Sequence, residues 1–134
     1  LQVEYEQAIR EEDVVKMLFR HSDSAKAART FIDWLKSKKG VCSHSEMSDF
    51  SHRLASGELR SRLSRTNFYR TVLHNFINSG LIAEQPSYDH KSRKIVKVYR
   101  IVLQPVTKHK PMSPSFIHLA HLVGKKWNAE FIES

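Results

Sequence analysis

Residues 63–82 read Leu-Ser-Arg-Thr-Asn-Phe-Tyr-Arg-Thr-Val-Leu-His-Asn-Phe-Ile-Asn-Ser-Gly-Leu-Ile. The apolar positions Phe68, Val72, Leu73, Phe76 and Ile77 recur at the intervals that keep one face of a helix apolar. Ser64 is a natural N-cap, since its side-chain oxygen can accept from a first-turn amide, and Ser79-Gly80 is a natural stop. The pattern predicts a helix over 65–79. Its other face displays Arg65, Thr66, Asn67, Tyr69, Arg70, Thr71 and His74, side chains that can donate to phosphates or read base edges in a major groove. No core requires that set.

Downstream, Leu81, Ile82 and Ala83 leave the helix directly into an extended stretch, and Asp89 to Arg93 is polar and turn-prone. Ile95, Val96, Val98, Tyr99, Ile101 and Val102 form a β-branched and aromatic return strand. Together they predict a β-hairpin. Its tip and return strand carry His90, Lys91, Arg93, Lys94, Lys97 and Arg100, a row of cations suited to a phosphate backbone. Lysines on an edge hairpin also guard against edge-to-edge aggregation, and the two roles are compatible.

Upstream, Ser43 and Glu46 have the spacing of a capping box, and Met47, Phe50 and Leu54 follow on one helical face up to Gly57. The connection 57–63 is longer than a tight turn and holds Arg60 and Arg62, which fit either a phosphate clamp or a solvated loop. An earlier helix is expected after Ser22 or Ser24 as N-cap, with Ala28, Phe31, Ile32 and Leu35 buried and Gly40 as the C′ residue. A first helix is expected from Val3 to Arg20. Pro105, Pro111 and Pro114 punctuate a linker, after which Phe116, Leu119, Leu122, Val123, Trp127 and Phe131 predict a last helix.

The chain has 134 residues, 40% of them hydrophobic, which suits one modest core better than two. A formal net charge of +8 favours polyanionic partners, with nucleic acid foremost. That charge is central: residues 53–100 hold ten bases against three acids, whereas residues 1–20 hold five acids against three bases. Cys42 is the single cysteine, so no intrachain disulfide or paired-thiolate metal site is available, and a core role is expected for it rather than a nucleophilic one. A cytoplasmic location is expected, nucleoid-associated in a prokaryote, since no apolar run is long enough to span a bilayer.

The stretch 63–82 followed by a basic hairpin resembles the winged helix-turn-helix transcription regulators. The resemblance covers Val41 to Leu103 and rests on helix, turn, helix, Gly-Leu-Ile and hairpin occurring in that order. It implies a mainly α fold with a small β-hairpin, that is α+β, with a recognition helix at 65–79 and a basic wing at 84–100. Phe68 to Thr71 is similar to the Val-Tyr-Arg-Thr of recognition helices in ferric-uptake-type regulators, which implies that Tyr69 and Arg70 face DNA. That family's cysteine pairs and histidine-rich metal segments have no counterpart here.

The expected function is sequence-specific binding of double-stranded DNA by a transcription factor. Arg60, Arg62, Arg65, Thr66, Asn67, Tyr69, Arg70, His74, Lys91, Arg93 and Lys94 are the candidate contacts. The chain divides into an N-terminal helix at 1–22, a DNA-binding module at 23–104, and a linker and C-terminal helix at 105–134. Trp34, Trp127, Phe116, Phe131 and Phe19 exceed what a minimal module must bury, so the terminal helices either wrap the module or pair two copies, and a homodimer through them is expected. No cofactor is expected, and no metal, although His118 and His121 share a helical face. Enzymatic activity is not expected, because acids are sparse and mostly N-terminal. A protein-interaction module within a larger assembly, or a replication-origin or RNA binder, is the alternative.

Overall fold

The computed structural model describes residues 13–105 and 116–132, with side chains in the last helix from Ala120 onward. Among these residues the architecture is α+β: five helices, α1 to α5, and a three-stranded antiparallel sheet.

Helix α1 spans Val14–Leu18 and is capped by Asp13, whose Oδ1 accepts from the Val15 amide at 2.6 Å. Phe19 takes up extended backbone, so the helix stops short of Arg20. The part of the expected first helix before Asp13 lies outside the described residues. Helix α2, Ser22–Ser37, is preceded by His21, whose side chain makes no capping bond. The expected caps Ser22 and Ser24 are thus inside the helix. Its end also differs from expectation. The Lys39 amide donates to the Lys36 carbonyl and the Gly40 amide to the Leu35 carbonyl, both at 2.9 Å, so Lys39 is the C′ residue and Gly40 follows it. Lys39 sits at φ +59 and Gly40 at φ +81.

Gly40 is needed there for a second reason. A β-carbon on it would approach Ile101 Cγ1 to 2.7 Å, because strand β1, Val41–Ser43, starts at once and lies against β3. The sequence pattern held no sign of β1, and the expected two-stranded hairpin is a three-stranded sheet of order β1-β3-β2. Cys42 pairs with Tyr99 in its register. Three residues bracketed by a glycine turn and a helix cap are too few to show alternation.

Helix α3, His44–Ser56, begins with the expected capping box. Ser43 Oγ accepts from the Glu46 amide at 3.1 Å, and Glu46 Oε1 accepts from the Ser43 amide at 3.0 Å. Gly57 ends it in the left-handed region.

Helix α4 is continuous but not uniform: α-helical Arg65–Asn67, a π-helical segment Phe68–Leu73, then α-helical His74–Asn78. Ser64 Oγ caps it by accepting from the Asn67 amide at 3.2 Å. Phe68, Val72 and Phe76 recur every four residues and are all fully buried. Four residues overshoot a turn of about 3.6, and the wider π turn takes up that drift, so one face stays in the core. The helix closes on a Schellman motif, with the Gly80 amide donating to the Ile77 carbonyl at 3.1 Å and the Leu81 amide to the Phe76 carbonyl at 3.0 Å.

Strands β2, Ile82–Asp89, and β3, Lys94–Ile101, follow without a linker. The core is organised around Phe31 of α2, whose ring lies 5.6 Å from Phe50, 5.3 Å from Phe68 and 5.7 Å from Phe76. Phe76 passes the contact on to Trp127 of α5, Phe116–Ile132, at 5.4 Å. Trp127 is fully buried, its indole nitrogen donates to the Val102 carbonyl at 3.0 Å, and Glu130 pairs with both Arg29 and Lys36 of α2. Helix α5 therefore wraps the same core that α2, α3 and α4 share. Among the described residues, no helix is long and apolar enough to cross a membrane.

Candidate nucleic-acid interface

Burying Phe68, Val72, Leu73 and Phe76 leaves the opposite face of α4 to solvent. Arg65, Thr66, Asn67, Arg70 and His74 are exposed, and Tyr69 is half-buried. Two of the candidate cations are already held by the protein. Arg65 Nε donates to Ser51 Oγ at 3.0 Å, its terminal nitrogen donates to Ser48 Oγ at 3.3 Å, and its guanidinium lies 5.9 Å from the Tyr69 ring centroid. Arg62 Nε donates to the Ala55 carbonyl at 3.2 Å. Arg65 thus ties the start of α4 to α3 through two serines. Nothing in the sequence marked Ser48 and Ser51 for that role, because the contact joins residues far apart along the chain.

Arg60 and Arg70 are exposed, and among the described residues Arg70 has no hydrogen-bond or ion-pair partner. Arg60 lies beside Ser61 on the rim of a cavity of about 430 Å³ that Lys26, Arg29 and Asp33 also line.

Tyr99 of β3 is buried at the base of the hairpin, and burial, then the Glu84 charge, pushes its phenol up to about 12. From there β2 and β3 run outward, with Glu84 facing Tyr99 and Asp89 facing Lys94 in register. Six residues separate Lys94 from Arg100, so the tip stands roughly 20 Å beyond the base. Lys91, Arg93 and Lys94 are exposed at that tip, whereas Lys97 is paired with Glu84 at 3.1 Å.

The tip is built by Asp89, which accepts from the Lys91 amide at 3.2 Å and from the Ser92 hydroxyl at 2.8 Å. The Ser92 hydroxyl, then the Lys91 amide, hold this carboxyl below its ordinary value. Asp89 is therefore committed to the turn as an anion, and Arg93 closes the turn at φ +56.

No family model, curated protein or solved structure matches the chain. What the surface can do is therefore read from its own residues. It presents exposed donors along one helix face, then a projecting arm with cations at its end.

Other chemistry has less to stand on. Cys42 is buried, and burial, followed by the Glu46 charge, pushes its thiol up to about 12, the reverse of an activated nucleophile. Among the described residues, no three His, Cys, Asp or Glu side chains are grouped to hold a metal ion. The His118 side chain lies outside the described residues.

Proposed function

We propose that the chain is a winged-helix protein that binds double-stranded DNA, with α4 in the major groove and the β2–β3 hairpin on the phosphate backbone, and that it serves as a transcription regulator. The observation that carries this reading is the direct junction of α4, with its solvent-facing Thr66, Asn67, Arg70 and His74, to a hairpin ending in Lys91, Arg93 and Lys94. The element order α2-β1-α3-α4-β2-β3 and the sheet order β1-β3-β2 support the same assignment.

Size supports the division of labour. A major groove is about 12 Å wide, so an arm of roughly 20 Å leaving the end of α4 reaches past that groove to the flanking backbone. Base reading falls to Asn67, Tyr69, Arg70 and Thr66, and Arg65 positions the helix start. Arg60, Arg62, Lys91, Arg93 and Lys94 neutralise phosphates. A homodimer through α1 and α5 belongs to the same proposal, with Ile132 of α5 as an exposed apolar side chain for it.

Titrating labelled random-sequence duplex with the protein over a range of salt tests this. Five phosphates, met by these five cations, give a slope of log Kobs against log salt of about −4.5. Binding that is absent at low salt, or a slope near zero, would exclude the reading. Selection from the same pool then reports whether the preferred site is palindromic.

A further inference from the structure

Tyr88 and Ile95 face each other across β2 and β3 at the last pair but one before the turn. They are the most exposed large apolar side chains of the sheet, at 53% and 74%. Alternation along the strands puts them on the same face as Ile82 and Tyr99, which are buried. Pro86 and the Glu84–Lys97 ion pair lie between them and the core on that face, so Tyr88 and Ile95 form a separate apolar pair that ends in solvent. The His90 ring packs edge-on against Tyr88 at 4.9 Å, so the tip carries two rings and a bare isoleucine.

An apolar pair of this kind on a projecting arm is an aggregation hazard unless it has an occupant. The charge around it states which. Lys91, Arg93 and Lys94 are exposed at the same tip within a few residues of the pair, Lys94 on its opposite face, and Asp89, the one acid of the tip, is engaged by the turn. A partner must be polyanionic and also offer flat apolar faces. Nucleic acid does both, but only where bases are exposed: phosphates meet the cations, and an unstacked base meets the rings.

We propose that the Tyr88–Ile95 pair is an apolar wedge that packs against bases at an unstacked step, so that the protein prefers kinked or locally opened duplex over fully paired duplex. This rests on the hairpin being a DNA contact. Both side chains are exposed in the free protein, so replacing them leaves the core intact.

The experiment compares two duplexes of equal length and salt, one fully paired and one with a central mismatched bubble. Base–aromatic stacking gives about a tenfold preference for the bubble. Tyr88→Ala and Ile95→Ala abolish that preference, keep affinity for paired duplex within about twofold and leave the salt slope unchanged, whereas Tyr88→Phe retains it. An unchanged bubble-to-duplex ratio in Y88A and I95A overturns the wedge while the DNA reading stands. Loss of self-association by either variant in sedimentation, with no change in the ratio, also overturns it and makes the pair a contact between copies. Failure of the wild type to bind either duplex at low salt removes both the wedge and the reading beneath it.

Discussion

Asn128 holds Gln104 by both of its backbone groups: its Oδ1 accepts from the Gln104 amide at 2.7 Å and its Nδ2 donates to the Gln104 carbonyl at 2.9 Å. One side chain of α5 thereby replaces the strand partner that the chain lacks after β3. Asn128→Ala leaves a partly buried donor and acceptor unpaired, and is expected to lower stability by about 1–3 kcal/mol. Urea unfolding checks this through a lower midpoint at unchanged m value.

Trp127 stands one residue earlier, and its neighbours decide whether α5 serves one chain or two. The ring is fully buried against Phe76 and hydrogen-bonded to Val102 within the chain. Trp127→Ala is expected to cost about 3–5 kcal/mol by cavity formation. The loss should be the same at low and high protein concentration. A loss that shrinks on dilution would show instead that Trp127 also supports the proposed pairing of two copies through α5.

Gly40 and Gly80 have nearly the same backbone, at φ +81 and φ +82, but different surroundings. A β-carbon at Gly40 meets Ile101 at 2.7 Å, whereas one at Gly80 meets nothing within 4 Å. Gly80→Ala is therefore expected to cost about 1–2 kcal/mol, the strain of left-handed backbone alone. Gly40→Ala adds the displacement of β3 and should cost more. Thermal unfolding of the two variants side by side measures the difference, and equal losses would refute the close approach of Gly40 to Ile101.

These features also show which parts of the fold can be read from the sequence. Ser43 with Glu46, Ser64 with Asn67, and Ser79-Gly80 were legible because each cap involves residues three or four apart along the chain. Phe68, Val72, Leu73 and Phe76 were legible because burial repeats with the helix. Strand β1 and the π turn were not: one depends on a partner nearly sixty residues away, and the other reconciles a four-residue repeat with packing on Phe31 and Phe50. The tethering of Arg65 by Ser48 and Ser51 was hidden for the same reason. Lys39 took the place expected of Gly40 because Gly40 was needed one residue later, against Ile101. Of the candidate site, the list of exposed cations was legible, but not which of them were already engaged.

Cys42 gives a prediction with a definite sign. Burial first, then Glu46, raise its thiol from about 9.0 to about 12 in the native fold, while the unfolded chain titrates near the ordinary value. The native state thus holds this proton more tightly, and its contribution is complete below the ordinary thiol range and lost as pH rises through the native value. Unfolding measured at increasing alkaline pH should show a steeper loss for the wild type than for Cys42→Ala. Tyr99, also raised to about 12, chiefly by burial, is present in both proteins, and only the small part of its shift that comes from Cys42 differs between them. Alkylation of Cys42 at neutral pH should be slow until denaturant opens the core.

Arg70 and Lys94 separate the two tasks of the proposed DNA-binding surface. Arg70 lies on the exposed face of α4, and Lys94 stands at the far end of the hairpin opposite Asp89. If α4 reads bases, Arg70→Ala relaxes preference for the selected sequence by about 1–3 kcal/mol while random duplex binds almost as before. If the hairpin meets phosphates, Lys94→Ala weakens every sequence alike and flattens the salt slope by about one. Neither residue is buried, so both variants should unfold like the wild type, which keeps a binding change from being mistaken for a folding defect. Anisotropy titrations of each variant against selected and random duplex at several salt concentrations resolve the two effects. Uniform loss on all sequences from Arg70→Ala would move α4 from the bases to the backbone.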